Sequence, residues 1–156
     1  MISPEILRRY PFFGPLTADQ LKAVAMITDE VSFTKDTTLF EETQPAEYFY
    51  LLIEGEVDLY FRSEKESNHE QRKELLAGII DAGDVFAISG LIEPYVYTAT
   101  ARTANDCHAL KIDSQAMREL MASKCEMGYS LMGEIAKAAM ERLGYTRVQL
   151  AAAWAD

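Results

Sequence analysis

The sequence predicts a mainly β fold, a β-roll or jelly-roll-like barrel flanked by helices and followed by one long C-terminal helix. Three observations predict this class. Short segments that alternate apolar and polar residues follow one another between residues 31 and 113, separated by turn residues. Helix-start signals lie within residues 1–30. The segment Lys124–Trp154 has no proline and is rich in Ala, Leu, Met, Glu and Arg.

Length and charge limit the classes of function. A chain of 156 residues fits a single domain, 1–156, with N-terminal helices in 1–30, the β-roll in 31–113 and C-terminal helices in 114–156. The formal net charge of -10 argues against direct binding of nucleic acid, which needs clustered Lys and Arg. It also argues against docking on an anionic membrane.

Two helix starts can be read near the N-terminus. Ser3 precedes Pro4 and Glu5, the arrangement of a capping residue, a proline at the first helical position and an acid in the first turn. Thr17 and Gln20 have the spacing of a capping box. Apolar residues at helical spacing follow Thr17, so a second helix is expected there.

The middle of the chain predicts strands at close intervals. The segment Ser63–Arg72 is charged and lacks apolar residues, which indicates an exposed hairpin loop. Strands are expected at 31–34, 38–40, 48–53, 56–61, 75–80, 85–86, 97–102 and 107–112.

The C-terminal part predicts two helices. Asp113 or Ser114 caps a short helix at 115–122. The segment Lys124–Trp154 is long enough for a helix of about 40 Å. An apolar stripe on this helix predicts a homodimer interface formed by Met132, Ile135, Ala136, Ala139, Leu143 and Leu150.

Signatures of catalysis, metal binding and export are absent from the sequence. Cys107 and Cys125 lack zinc-site spacing, and His69 and His108 are far apart without a triad pattern. Successive residues of a strand point to opposite faces, so Cys107 and His108 are not expected to share a metal. No apolar signal run or span of about 20 residues occurs, which predicts a cytoplasmic protein.

Three segments carry a resemblance to a known family. Tyr48–Val57 resembles an aromatic–aliphatic strand that ends in Gly-x-Val, and Ala82–Phe86 resembles an Ala-Gly-Asp-x-Phe turn. Thr98–Thr103 resembles a strand of small residues. With the order of the elements, these segments are similar to the cyclic nucleotide-binding domain of the catabolite activator and fumarate–nitrate regulator superfamily. The resemblance covers nearly the whole chain and implies a ligand-binding segment, the phosphate cassette, at Gly83–Thr103.

The cassette departs from the family pattern at two positions. The family opens it with Phe-Gly-Glu, whose Glu holds the ribose 2′-hydroxyl, whereas this chain has Phe86, Ala87 and Ile88. The family's phosphate-binding Arg is replaced by Tyr97, although the following hydroxyl is kept as Thr98. Each hydrogen bond to a charged group is worth about 1.5–3 kcal/mol. The two losses predict that cyclic nucleotides bind at least about 3–4 orders of magnitude more weakly.

Arg142 has two interpretations at this stage. In the family the middle of the long helix lines the ligand pocket, so Arg142 could replace the missing cation from that side. Helix charges usually face solvent, and an exposed Arg142 paired with Glu141 or a neighbouring acid is the simpler expectation. Backbone amides near Ala87–Gly90 are further anion donors.

These observations favour a stand-alone regulatory or sensor domain without a helix-turn-helix segment, and not an enzyme. It would bind an unidentified small effector, or have lost ligand binding, and would act through a protein partner. No cofactor or metal is expected. The alternatives are a true receptor for cyclic AMP or cyclic GMP, a cupin-like metal enzyme, and an interaction module whose pocket is filled by side chains. The candidate ligand residues are Gly83, Phe86, Ala87, Ile88, Ser89, Gly90, Tyr97, Thr98, Ala99 and Arg142.

Overall fold

The computed structural model describes residues 1–62 and 74–155. The expected hairpin loop Ser63–Arg72 lies outside the described residues. Single-turn 3-10 helices occur at Pro11–Phe13 and Ile88–Leu91. The α-helices are α1 (Pro4–Arg8), α2 (Ala18–Met26), α3 (Ser114–Ser123) and α4 (Cys125–Trp154). The strands are β1 (Thr28–Phe33), β2 (Thr38–Phe40), β3 (Tyr48–Glu54), β4 (Val57–Arg62), β5 (Glu74–Ile80), β6 (Val85–Phe86), β7 (Thr100–Thr103) and β8 (Cys107–Asp113).

The strands form two antiparallel four-stranded sheets. Their orders are β1-β8-β3-β6 and β2-β7-β4-β5. Each sheet joins strands that are distant in sequence, as when β8 lies between β1 and β3. The two sheets are not closed into one barrel, so the arrangement is jelly-roll-like. The predicted fold class is confirmed, including the flanking helices and the long C-terminal helix.

Capping residues begin the helices where the sequence predicts them. The Ser3 hydroxyl accepts from the Glu5 amide, and Thr17 forms the complete capping box with Gln20. At α3 the cap is Asp113, whose carboxylate accepts a hydrogen bond from the Ala116 amide at 2.9 Å. These side chains satisfy amides that the first helical turn leaves unpaired.

Two predicted strand starts are wrong by three residues, whereas the other strand boundaries agree to within one residue. β1 begins at Thr28, earlier than expected, because Thr28 already pairs with Ile112 of β8. The strand expected from Tyr97 begins at Thr100. Before that point the backbone is bonded to a loop: the Tyr97 amide donates to the Gln44 carbonyl at 2.9 Å, and the Tyr97 carbonyl accepts from the Thr43 amide at 2.8 Å. Tyr97 therefore lies in a loop against the β-roll.

Helix α4 has one face in the core and another in solvent. Its N-terminal half buries Met127, Leu131 and Ile135 against the rest of the chain. Ile135 is only 3% exposed, so its assignment to a dimer interface was wrong. The side chain packs inside its own chain because it lies about one turn from Leu131 on the buried face.

The other residues of the predicted stripe are exposed. Met132 is 40%, Leu143 49% and Leu150 57% exposed, and Ala136 and Ala139 are also exposed. Successive members of this set of five are separated by four, three, four and seven residues, which is the spacing of a coiled-coil seam.

In the part of the chain that the structure describes, no helix combines the length and the apolar character that a membrane crossing needs.

Four aromatic rings, Phe40, Tyr50, Phe86 and Tyr97, form the aromatic cluster of the core. The rings of Phe40 and Tyr97 are stacked with centroids 3.9 Å apart, and those of Tyr50 and Phe86 with centroids 5.1 Å apart. The ring centroids of Phe40 and Phe86 lie 6.3 Å apart, so the two pairs pack against each other. Because stacked buried rings pack densely, the cluster holds the loop that contains Tyr97 against β2, β3 and β6.

The aromatic cluster predicts a loss of stability at alkaline pH. Burial raises the pKa of the Tyr50 phenol above its ordinary value of 10.0, and nearby Tyr97 adds to the shift. The unfolded chain therefore loses this proton before the folded chain does, so stability is complete below pH 10 and falls as the pH rises further. We expect the free energy of unfolding, measured in urea, to fall by up to about 1.4 kcal/mol for each pH unit and for each buried tyrosine.

Two phenylalanine variants check the origin of this loss. Tyr50→Phe is expected to make the decline above pH 10 clearly shallower, whereas Tyr129→Phe is expected to leave it unchanged because Tyr129 is 85% exposed. An equal decline in the unmodified chain and in Tyr50→Phe would contradict the assignment to Tyr50.

Candidate functional site

A cavity of about 320 Å³ lies between the β-roll and α4. It has the size of a small-molecule pocket. Its presence disfavours the alternative of a pocket filled by side chains. The lining residues are Phe40, Leu59, Ala87, Ile88, Ser89, Ile92, Tyr97, Thr98, Ala99, Ala139 and Arg142.

Seven of the ten predicted ligand residues line this cavity, and three do not. Phe86 is fully buried in the aromatic cluster. Gly83 lines a neighbouring cavity of about 430 Å³ on the other side of Arg142. Gly90 contacts α3 instead of the cavity. The seven lining residues are Ala87, Ile88, Ser89, Tyr97, Thr98, Ala99 and Arg142.

Ala87 opens the cavity wall in a conformation that favours glycine. Its backbone has φ 61° and ψ 32°, in the left-handed region. The 3-10 helix Ile88–Leu91 follows directly. Ala87 therefore preserves the turn for which the family uses glycine, at a cost of about 1–2 kcal/mol from its Cβ.

Gly90 fixes the 3-10 helix against α3. A Cβ on Gly90 would lie 2.4 Å from the Ser114 Oγ and 3.0 Å from the Ala46 carbonyl oxygen, so only glycine permits this approach. Arg118 donates from Nη1 to the Gly90 carbonyl at 2.6 Å. The Gly90 amide donates to the Ala87 carbonyl at 3.1 Å and is not free for an anion. Gly90 therefore supports the cavity wall from the side that faces α3, without lining the cavity itself.

Tyr97 occupies the cavity wall with its polar group turned away. Its hydroxyl donates to the Tyr48 carbonyl at 3.0 Å and lies 3.4 Å from the Tyr48 amide. Burial raises the pKa of this phenol. The ring stacks on Phe40 and leaves an aromatic surface toward the cavity. Tyr97 thus offers apolar contact and no charge to a ligand.

Arg142 is the cation of the cavity wall. The guanidinium donates from Nη2 to the Val85 carbonyl, so α4 is tied to the start of the cassette. Burial lowers the pKa of Arg142, although nearby Asp84 and Glu141 act in the opposite direction. The expectation of an exposed Arg142 paired with Glu141 is wrong, because the chain folds α4 over the cavity mouth.

The acids near Arg142 lie on its other side. Asp84 and Glu141 line the neighbouring cavity together with Lys137. Among the described residues, the lining of the 320 Å³ cavity contains no carboxylate. Among the residues that the structure describes, no carboxylate oxygen lies within 4.0 Å of the Arg142 guanidinium. Arg142 therefore lines both cavities, and among these residues its charge has no carboxylate within ion-pair distance.

Sequence reasoning missed four lining residues. Phe40 and Leu59 were read as ordinary strand residues, and Ile92 lies in an irregular segment without periodicity. Ala139 was assigned to the dimer stripe and also lines the cavity. The alternating pattern of β2 and β4 indicates which residues face inward, but the contact of α4 with them depends on long-range packing.

The histidine candidates show no metal cluster. His108 Nε2 lies 3.2 Å from a Glu30 carboxylate oxygen on the neighbouring strand, whereas Cys107 is buried on the opposite face. Across residues 1–62 and 74–155, no group of three or more His, Cys, Asp or Glu side chains is placed to hold a metal ion. The cupin-like reading has no support from the described residues, and His69 lies outside them.

A family comparison places the chain. The sequence profile of the cyclic nucleotide-binding domain matches residues 30–124, more than half of the chain. The chain belongs to the cyclic nucleotide-binding domain family. This domain is 26% identical over 133 residues to the CRP-like cAMP-activated global transcriptional regulator of Mycobacterium tuberculosis. The match covers 85% of this chain and 57% of that regulator's length.

Two solved structures share the fold of this cyclic nucleotide-binding domain. A crystal structure from Geobacter metallireducens GS-15, described as a candidate cyclic nucleotide-binding protein, has a TM-score of 0.78 and 35% identity over 92% of this chain and 99% of that one. The regulatory subunit of a cAMP-independent protein kinase A from Trypanosoma brucei has a TM-score of 0.74. It is 14% identical, over 94% of this chain and 49% of that one, and was solved as a triple mutant with cAMP in its A site.

Proposed function

We propose that this cyclic nucleotide-binding domain is a regulatory module that binds a small effector other than a cyclic nucleotide held in the family's usual way. The effector occupies the cavity of about 320 Å³. Tyr97 is the observation that carries the proposal. Its phenol is neutral, and its hydroxyl donates to the Tyr48 carbonyl and accepts from the Tyr48 amide. The position of the family's arginine therefore offers a phosphate neither a charge nor a free donor.

Ile88 supports the same conclusion. It lines the cavity where the family's glutamate would hold a ribose hydroxyl, and a hydrocarbon side chain cannot accept that hydrogen bond. A buried ribose hydroxyl or phosphate without a partner costs free energy. The Trypanosoma brucei relative, described as cAMP-independent, is a precedent for the fold without cyclic AMP control.

Helix α4 is the element that would read out the effector. Ala139 and Arg142 line the cavity, and Arg142 also holds the Val85 carbonyl of β6. An effector that contacts both residues moves α4 from one position to another only if it binds the chain more tightly when α4 is in the second position. The exposed stripe on α4 would carry the shift to a second copy of the chain or to a protein partner. The net charge of -10 favours a protein partner over nucleic acid.

A second candidate function is cyclic nucleotide binding through Arg142. The position of Arg142 in the cavity wall beside Ser89 favours this alternative over loss of all ligand binding. In that arrangement the phosphate would take its positive charge from α4 and its remaining hydrogen bonds from Ser89, Thr98 and backbone amides.

Calorimetric titration with cyclic AMP and cyclic GMP separates the two candidates. We expect no micromolar binding of either nucleotide, because the two missing hydrogen bonds to charged groups cost about 3–4 orders of magnitude in affinity. Micromolar binding that is lost in Arg142→Gln would contradict the proposal and favour the second candidate.

A further inference from the structure

The wall of the 320 Å³ cavity is mostly apolar. Phe40, Leu59, Ile88 and Ile92 contribute carbon, and Tyr97 contributes its ring face because its hydroxyl is bonded elsewhere. Among the described lining residues, the side-chain polar groups that remain for a ligand are the hydroxyls of Ser89 and Thr98 and the guanidinium of Arg142. Such a wall suits a ligand with an apolar body and a small number of polar contacts.

Arg142 supplies one positive charge to this apolar space. Among the described residues, the guanidinium makes one hydrogen bond, to the carbonyl of Val85, which lines the neighbouring cavity. A guanidinium has several N–H donors in a fixed fork, so donors remain for a ligand. A half-buried cation without an anionic partner is costly, and an anion that pairs with it lowers this cost.

The charges on neighbouring elements favour an anion only on the cavity side. Asp84 of the turn before β6 and Glu141 of α4 face the neighbouring cavity, where Lys137 also lies. Within residues 1–62 and 74–155, no acid lines the 320 Å³ cavity, so an anion placed there would meet Arg142 with no carboxylate of these residues in the same wall. The cavity therefore complements a ligand that carries about one negative charge.

From this combination we infer the chemical class of the effector: an amphiphilic monoanion, a small hydrophobic carboxylate whose carboxylate group pairs with Arg142. Its hydrocarbon body contacts Leu59, Ile92 and the ring of Tyr97. Both a carboxylate and a phosphate monoester accept two parallel N–H bonds from a guanidinium fork. A carboxylate fits better because it carries one charge, whereas a phosphate monoester carries nearly two at neutral pH. The inference rests on the proposed function, since it names the ligand of the same cavity.

Matched carboxylate and amide probes test the inference by calorimetry. The probe is 3-phenylpropionate, and 3-phenylpropanamide is its uncharged counterpart. We expect the carboxylate to bind the unmodified protein at least about tenfold more tightly than the amide. Arg142→Gln is expected to weaken the carboxylate by at least about tenfold and to leave the amide unchanged.

Two further variants serve as controls. Arg9→Gln removes the same charge from an exposed position at the end of α1 and is expected to leave carboxylate affinity unchanged. Arg142→Lys keeps the charge but loses the fork, and is expected to retain more carboxylate affinity than Arg142→Gln. If circular dichroism shows that Arg142→Gln does not fold, the comparison of Arg142→Lys with the unmodified chain still tests the role of the guanidinium.

The outcomes distinguish the inference from the proposed function. Equal affinities of carboxylate and amide, both reduced by the cavity-filling variant Ala99→Leu, would overturn the anion class and leave the small-effector function standing. Absence of carboxylate binding at millimolar concentration would also overturn the inference. Micromolar binding of cyclic AMP to the unmodified chain would overturn the proposed function itself.

Discussion

The double variant Ile88→Glu, Tyr97→Arg is expected to bind cyclic AMP about a thousandfold more tightly than the unmodified chain. Both positions line the cavity, so the new carboxylate and guanidinium would face a bound nucleotide. Each restored hydrogen bond to a charged group contributes about 1.5–3 kcal/mol, and about 1.4 kcal/mol corresponds to a factor of ten. Calorimetric titration of both proteins measures the gain.

The double variant carries a stability cost that must be separated from the gain in affinity. Removal of Tyr97 ends its stacking on Phe40 and leaves the Tyr48 carbonyl without the phenol donor. We expect the free energy of unfolding to fall by about 2–4 kcal/mol, which urea titration measures.

A control for the added guanidinium completes this experiment. Met26→Arg adds one positive charge at a position that is 70% exposed and outside the cavity lining, so cyclic AMP affinity should not change. A double variant that unfolds cooperatively but gains less than about tenfold would contradict the assignment of positions 88 and 97 to ribose and phosphate recognition.

The variant Leu143→Glu is expected to convert a dimer of this chain into a monomer. Leu143 lies in the middle of the exposed stripe on α4 and is 49% exposed in the single chain. In a two-fold symmetric interface the substitution places two carboxylates close together in an apolar seam. An uncompensated buried charge costs about 3–5 kcal/mol, so the dimer dissociation constant should rise at least about a hundredfold.

Sedimentation at several protein concentrations measures this change, and Val148→Glu is the matched control. Val148 is 69% exposed on the same helix but points away from the stripe, about 140° around the helix axis from Leu143. This control should leave the dimer intact. A monomeric unmodified chain, or equal dissociation by both variants, would contradict a dimer through the stripe.

Most secondary structure is predictable from the sequence because its signals are local. Ser3, Thr17 and Asp113 cap the helices where their side chains indicate, since a cap bonds an amide two or three residues ahead. The start of β7 was not predictable in this way. Tyr97 continues an alternating pattern, but its backbone pairs with Gln44, and that pairing depends on the distant fold of the loop.

The candidate cavity was predictable in part. The resemblance indicates that Ala87, Ile88 and Tyr97 belong to one segment, and the structure places all three in the cavity wall. Ile135 and Arg142 show where prediction from the sequence fails. A stripe of apolar residues on α4 does not reveal which members face the core, and helical charge patterns favour solvent for Arg142. Docking of α4 on the β-roll settles both positions.

A crystal structure of the unmodified protein grown with millimolar cyclic AMP tests the central claim most directly. The claim is that the cassette offers no charged partner to the ribose or the phosphate of a cyclic nucleotide, and that Arg142 alone does not replace these partners. We expect a cavity between Ile88 and Arg142 without bound nucleotide. Cyclic AMP seated there, its phosphate oxygens bonded to backbone amides of 88–89 and to the Arg142 guanidinium, would contradict it.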